Sequence, residues 1–196
     1  MRLEFPSHFF WGSSTSAAQT ETAGPHNWKG METQDGHIFD RTTDHERRRE
    51  EDIEYITKFG TVYRCGVDWS KLQAGPFEPF DEAWVDDYQS FFAQLVDEGM
   101  EILFVFHHFA NPIWFEEAGG WAKEENIPAF IDFAQQCCEY FGEYVFNWNT
   151  FNEPNVYAFA SYLAGRFPPF KRSLKKANRV LKHLGIAHNI VYDILK

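Results

Sequence analysis

The chain has few cysteines, few basic residues and no long apolar run, and each shortage narrows the possible functions. Of its 196 residues three are cysteine, and 18 lysines and arginines stand against 29 aspartates and glutamates, a formal charge of −11. Proteins that bind nucleic acid usually present a basic surface, so we predict no nucleic-acid partner. No segment approaches the roughly 20 consecutive apolar residues of a membrane-spanning helix, so we predict no membrane insertion.

The cysteines do not indicate a disulfide framework. They are Cys65, Cys137 and Cys138, an odd number, and the last two are neighbours in a segment of helical period. The N-terminus lacks a basic region followed by an uninterrupted apolar core and a small-residue cleavage site, which would mark a secretory signal. These features together predict a cytoplasmic protein in a reducing compartment.

What the chain does contain is typical of a folded domain. It is 44% hydrophobic and 18% aromatic. Four short apolar runs, at residues 9–12, 61–67, 102–106 and 144–150, alternate with longer segments of helical period. This alternation predicts repeated βα units and a parallel sheet. No internal repeat or linker divides the chain, so we predict a single domain over residues 1–196.

Helix signals are clear in the segments between the runs. A charged helix is predicted over residues 45–59, with Ile53, Ile56 and Phe59 buried. The next begins at Asp81, a suitable N-cap, and ends at Gly99; its apolar residues recur at helical spacing, at Trp84, Tyr88, Phe91, Phe92 and Leu95. A third helix is predicted over residues 126–141, and a last one over residues 177–194. The apolar residues on one side of the third helix are Phe130, Phe133, Ala134, Cys137 and Phe141.

The number of units predicts an incomplete barrel. The last helical pattern reaches Lys196 with neither a capping glycine nor a terminal proline. Four βα units in 196 residues would become eight in about 400, within the size range of barrels with insertions. We therefore predict an α/β fold of the TIM (β/α)8-barrel type with only about the first four units present. Such a half barrel exposes two strand edges, so we expect a complementary C-terminal half or another copy of the chain as a partner.

Polar residues gather where the predicted strands end, and the carboxyl ends of barrel strands are where chemistry takes place. These candidates, one or two for each run, are Gln19, Arg64, His107, His108, Asn152 and Glu153. A guanidinium inside a strand, as at Arg64, needs an anionic partner or a wet cavity; the alternative is an arginine at the solvent-facing end of the strand. Adjacent histidines at a strand end point to opposite faces, and no cysteine or carboxylate recurs at ligand spacing, so no metal site is predicted.

Glu153 is the sharpest candidate for chemistry. A carboxyl group between Asn152 and Pro154, close to Phe151, could be desolvated enough to raise its pKa and act as a proton donor. The alternative is an ordinary surface glutamate, which composition alone favours. Tryptophans such as Trp28, Trp114 and Trp121 suit stacking on sugar rings, although a place in the core is the default for any one of them.

The residues resemble a known family. Residues 150–154, Thr-Phe-Asn-Glu-Pro, resemble the signature of glycoside hydrolase family 1, the family of retaining β-glucosidases and 6-phospho-β-glucosidases. Other segments resemble further family motifs in the expected order: residues 9–17 with Gln19, 63–64 with 69–70, 106–109 with Pro112, and 119–121. One departure is Phe109-Ala110-Asn111, where many members carry Phe-Asp-Leu.

The resemblance implies roles for these residues. Glu153 would be the general acid/base, and Arg64 would support the nucleophile. The residues that would bind a β-linked glycoside or oligosaccharide are Gln19, His108, Trp121 and Asn152. The family's nucleophile, a glutamate late in the barrel, has no counterpart in this sequence. No cofactor is expected, because no Gly-x-Gly-x-x-Gly or phosphate-cradling loop occurs. The alternative function is a non-catalytic, sugar-binding or self-assembling half-barrel module.

Overall fold

The computed structural model describes residues 4–33 and 35–196. Its centre is a parallel sheet of four strands in the order β1-β2-β3-β4. The strands are β1 (Gly12–Ser14), β2 (Val62–Cys65), β3 (Glu101–His107) and β4 (Val145–Phe151). Each strand pairs with the next one along the chain, as in a (β/α)8 barrel, and this arrangement confirms the predicted half barrel.

Helices follow each strand. The α-helices are α1 (Ala17–Thr20), α2 (Arg49–Lys58), α3 (Trp69–Leu72), α4 (Glu82–Asp97), α5 (Ile113–Glu117), α6 (Ile127–Phe141), α7 (Pro154–Ala158) and α8 (Leu174–Ile194). Short 3-10 turns lie at His45–Arg47, Gly120–Ala122 and Glu124–Asn126, and a π turn lies at Phe159–Leu163. The long helices α2, α4, α6 and α8 complete the four predicted βα units.

Local chemistry sets the ends of these helices. The Asp81 carboxylate accepts a hydrogen bond from the backbone N–H of Trp84 and so caps α4. Gly99 follows α4 with φ +80°, the left-handed conformation that glycine adopts without strain. Both predicted signals are confirmed. The Ser173 hydroxyl caps α8 in the same way, accepting from the N–H of Lys176 at 3.3 Å.

An aromatic core fills the space between the sheet and α4 and α6. Phe92, Phe104 and Phe133 have no exposed surface, and Phe92 and Phe104 meet edge to face with ring centroids 6.1 Å apart. Burial of one such side chain contributes about 1.5–3 kcal/mol. The predicted apolar face of α6 is confirmed, since Phe130, Phe133, Ala134, Cys137 and Phe141 are all buried.

Two predictions near the amino end of the sheet are wrong. The first strand begins at Gly12, whereas Phe9, Phe10 and Trp11 precede it and are 45%, 56% and 53% exposed. Phe59, predicted to be buried, is 67% exposed. These four aromatic side chains are exposed, so their apolar character alone does not place them in the core.

The sheet has two free edges. Within residues 4–33 and 35–196, β1 pairs only with β2, and β4 pairs only with β3. Part of β4 is accordingly open, with Phe146 54% exposed. No helix in the described ranges combines the length and the apolarity that crossing a bilayer requires.

Candidate active site

The carboxyl ends of β2 and β4 bring three predicted residues together. The Arg64 guanidinium donates from Nη2 to Asn152 Oδ1 at 2.8 Å, and from Nη1 to the Ser14 hydroxyl at 3.4 Å. Asn152 in turn donates from Nδ2 to Glu153 Oε2 at 3.4 Å. The cluster Arg64–Asn152–Glu153 therefore forms one continuous chain of contacts.

The sequence analysis left open whether Arg64 is paired with an anion, faces a wet cavity or lies at the solvent-facing end of its strand. Its side chain is partly buried, and this burial lowers the pKa of the guanidinium, while the charge of Glu153 opposes the effect. Its hydrogen-bond acceptors are neutral, and in the described part of the chain no carboxylate lies within ion-pair distance of it. An arginine keeps its charge in proteins, so an incoming carboxylate would find an unpaired cation here.

Glu153 differs from the expectation in one respect. Its side chain is exposed, so the predicted desolvation of its carboxyl group is absent from this structure. The reason is the edge position of β4, which leaves one side of the residue uncovered. Its backbone has φ 44° in the left-handed region, a conformation that costs a non-glycine residue about 1–2 kcal/mol. Pro154 follows it as the first residue of α7.

His108 and Gln19 line the same pocket. They line a cavity of about 250 Å³ together with Trp28, Phe39 and Phe167. Burial, with a smaller effect of the Arg64 charge, lowers the pKa of His108 to about 4, so its imidazole is neutral near pH 7. Its Nδ1 has no hydrogen-bond partner among the described residues. A neutral, unpartnered ring nitrogen is suited to bind a hydroxyl group.

His107 points to the opposite face of the strand. Only 2% of its surface is exposed, and its Nε2 donates to Asn111 Oδ1 at 3.0 Å. Burial lowers the pKa of His107 to about 4. Residues 4–33 and 35–196 contain no cluster of three or more histidine, cysteine or carboxylate side chains able to hold a metal ion.

The predicted sugar contact of Trp121 is wrong for this arrangement. Its side chain has no exposed surface, and its Nε1 donates to Asn111 Oδ1 at 3.0 Å. Its ring packs against Phe130 and Phe151, at centroid distances of 5.1 Å and 5.4 Å. Trp121 therefore supports the strand ends from inside the core and cannot reach a ligand at their surface.

Asn111 is the polar residue that the sequence analysis missed. It is fully buried, and besides accepting from His107 and Trp121 it donates to Glu116 Oε1 at 2.7 Å and to the Tyr157 hydroxyl at 2.8 Å. Both lone pairs and both N–H groups of its amide are thus used. The signal that could have revealed it is the departure from leucine at this position.

An aromatic wall lies beside the pocket of Gln19 and His108, and at its centre is Trp28, one of the tryptophans that suit stacking on sugar rings. The ring of Trp28 lies 5.2 Å from that of Phe39 and 5.0 Å from that of Phe167, between centroids. Its Nε1 donates to the backbone oxygen of Phe109 at 3.2 Å. The partners come from distant parts of the chain, so no local pattern indicates the wall.

A buried ion cluster, Glu21–Lys71–Glu46, supports the helix that carries Gln19. The Lys71 ammonium lies 2.7 Å from Glu21 Oε2 and 2.6 Å from Glu46 Oε1, and the Tyr88 hydroxyl donates to Glu21 Oε2 at 2.6 Å. Burial opposes the charge on Lys71, but the two carboxylates outweigh it and raise the pKa of the lysine. The cluster fixes the segment just after α1 to α3.

The chain belongs to glycosyl hydrolase family 1, whose family model it matches over residues 1–196. It is 31% identical over 210 residues to Beta-glucosidase 25 of Oryza sativa subsp. japonica, covering 97% of this chain and 42% of that protein.

Solved structures agree with the fold. A beta-glycosidase from Pyrococcus horikoshii superimposes with a TM-score of 0.89 at 33% identity, over 100% of this chain and 47% of that one. The beta-glucosidase from Thermotoga maritima in complex with glucoimidazole gives a TM-score of 0.91 at 29% identity, over 97% of this chain and 46% of that one. The chain thus spans less than half the length of the relatives it matches.

Proposed function

We propose that this chain is the acid/base-bearing N-terminal half of a retaining β-glycosidase that acts on β-glucosides or β-galactosides. The observation that carries the proposal is the Arg64–Asn152–Glu153 cluster at the ends of β2 and β4. Membership of a glycosyl hydrolase family and the likeness to a glucosidase that binds glucoimidazole support it. The substrate would be a β-linked glycoside or oligosaccharide.

Retention of configuration requires two carboxyl groups about 5–5.5 Å apart. We assign Glu153 as the acid that protonates the leaving oxygen, and then as the base that takes a proton from the attacking water. The nucleophile would be a carboxylate from a later barrel segment, held ionised beside Arg64. The unpaired guanidinium is the feature of this chain that fits such a partner.

Asn152 would hold the sugar's 2-hydroxyl. Because Arg64 donates to Oδ1 at 2.8 Å, the Nδ2 group of the amide is directed away from the guanidinium and can donate to a hydroxyl oxygen. Gln19 and His108 would bind hydroxyls further round the ring. Contacts that tighten at the oxocarbenium-like transition state lower the barrier, whereas uniform binding does not.

Completion of the barrel is part of the proposal. The free edges of β1 and β4 fit a complementary C-terminal half. The same edges favour the alternative, a non-catalytic half-barrel module that binds sugar and associates with another copy of itself. The three free thiols are compatible with the proposed cytoplasmic location.

The test is hydrolysis of aryl β-glucosides and β-galactosides by the chain alone and with a later barrel segment. We expect turnover only in the second case, and Glu153→Gln should lower it most for poor leaving groups, which depend on protonation. Added azide, which needs no base, should restore turnover of a good-leaving-group substrate. The matched control is Glu143→Gln, which alters an exposed glutamate at the other end of β4 and should retain activity.

Two outcomes would contradict the proposal. Strong turnover by the chain alone would mean that another carboxylate attacks the sugar. Unchanged hydrolysis of poor-leaving-group substrates by Glu153→Gln would remove its role as an acid. A monodisperse dimer that binds glucose without hydrolysing glycosides would favour the alternative module.

A further inference from the structure

The positive charge of this acidic protein is concentrated in one segment. Residues 166–182 contain seven of the 18 lysines and arginines and no aspartate or glutamate. They are Arg166, Lys171, Arg172, Lys175, Lys176, Arg179 and Lys182. Residues 1–153 carry 28 acidic and 10 basic side chains, so the rest of the chain has the opposite sign.

None of these seven cations forms an ion pair within residues 4–33 and 35–196. The ion pairs within residues 4–33 and 35–196 involve other lysines and arginines, among them Arg41, Arg49, Lys58 and Lys71. Clustered like charges repel one another. A segment of this kind gains most from an anion that comes from outside the chain.

A cavity of about 550 Å³ opens beside this segment. Four basic residues line it, Lys123, Lys171, Lys176 and Arg179, together with Glu116, Glu117 and Tyr162. The volume is within the range of small-molecule sites, roughly 300–1,000 Å³. It shares no lining residue with the pocket of Gln19 and His108.

Tyr162 borders this cavity and has a buried hydroxyl group. Only 2% of its surface is exposed, yet its hydroxyl has no hydrogen-bond partner among the described residues. A buried hydroxyl without a partner is unfavourable unless a ligand satisfies it. Gly120 leaves room there: a Cβ at this position would lie 3.2 Å from the Tyr162 hydroxyl and 3.0 Å from Glu116 Oε2.

The helix that carries Lys176 and Arg179 adds to the positive potential of the cavity. α8 has 21 residues, and its first turn contains no acidic side chain. The amino end of a helix carries a partial positive charge, which here reinforces Lys176 in the first turn and Arg179 in the next. The carboxyl groups of Glu116 and Glu117 also line the cavity, and burial raises the pKa of the Glu116 carboxyl group.

We propose that this cavity binds a phosphate group, free or esterified, between the cations Lys171, Lys176 and Arg179 and the hydroxyl of Tyr162. Phosphate fits better than a carboxylate because it can carry two negative charges and offers several acceptor oxygens to cations and a hydroxyl donor together. The site is separate from the proposed catalytic cluster, since neither Arg64, Asn152 nor Glu153 lines it.

The test is calorimetric titration of the protein with inorganic phosphate and with glycerol 3-phosphate at constant ionic strength, with glycerol as the neutral control. We expect saturable phosphate binding that is about tenfold weaker in Lys176→Gln/Arg179→Gln. Tyr162→Phe, which removes only the unpartnered hydroxyl, should also weaken it. The matched control Lys175→Gln/Lys182→Gln removes two charges from the same helix outside the cavity lining and should bind as the parent does.

Comparison of the two titrations distinguishes free phosphate from a phosphate ester as the ligand. Equal affinity for both compounds would mean that the phosphate group alone is recognised, and tighter binding of glycerol 3-phosphate would indicate an ester as the ligand. The proposal is overturned if neither compound binds saturably, or if the two double variants lose affinity equally, because the attraction would then be diffuse.

Discussion

Replacement of Lys71 by methionine tests whether the buried ion cluster determines the stability of the fold. The Lys71 side chain is 4% exposed and that of Glu21 is 5% exposed, so the change leaves a carboxylate in the core without its cation. Removing one partner of a buried pair costs about 3–5 kcal/mol. We expect a value near the lower end, about 3 kcal/mol, because the Tyr88 hydroxyl still donates to Glu21.

A surface pair of the same geometry provides the control. Lys58 lies 2.6 Å from Glu54, but the two side chains are 56% and 70% exposed. Exposed pairs contribute little, so Lys58→Met should leave the free energy of unfolding unchanged within error. The comparison isolates burial, because the nitrogen–oxygen distances in the two pairs agree closely.

The assay is urea unfolding followed by tryptophan fluorescence, with the double variant Lys71→Met/Glu21→Gln completing a mutant cycle. Glutamine removes the stranded charge, so the double variant should recover most of the loss, with a coupling free energy of about 1.5 kcal/mol or more. A single variant as stable as the parent, or a cycle without coupling, would refute the reasoning.

Three further predictions concern single residues of the strands and the loops that follow them. Since the pKa of His107 is about 4 in the folded state against an ordinary 6.5, the unfolded state binds more protons between these values. The free energy of unfolding should therefore fall as the pH decreases through this window, by up to about 3 kcal/mol. The fall should be smaller in His107→Gln. An equal pH dependence of the free energy of unfolding in the parent and the variant, measured by urea unfolding, would contradict this. Asn111→Leu strands the buried donors of His107 and Trp121, and should cost about 2–4 kcal/mol; a normal unfolding midpoint would be contrary evidence. Gly12→Ala places a Cβ against the carbonyl oxygen of Val62 and should destabilise by about 2 kcal/mol, whereas Gly185→Ala, with open space around it, should not.

The elements that the sequence predicted well are those with local signals. The apolar spacing in α4 and α6, the cap at Asp81 and the stop at Gly99 all lie within a few residues of what they determine. The grouping of Arg64, Asn152 and Glu153 followed from the rule that parallel strands present their carboxyl ends at one edge.

The errors arise where burial depends on distant parts of the chain. The aromatic residues 9–11 and Phe59 have the apolar character of core residues but are exposed. Trp121 was predicted to contact a ligand but is fully buried. The departure from leucine marks Asn111 in the sequence, but its role could not be predicted because its four side-chain partners come from three other elements and one turn. The basic cavity escaped notice because a total charge of −11 conceals a local excess of the opposite sign.

The two borders of the sheet are unequal in length. β1 has three residues and β4 has seven, and in a parallel ladder each added residue contributes a similar share of the hydrogen bonding. A polypeptide that adds strands to this sheet would therefore form most of its backbone hydrogen bonds with β4 and only a few with β1. Its register would be set mainly by β4. Unwanted self-pairing should start at β4 too, so a single proline at its outward-facing N–H positions would reduce both processes together.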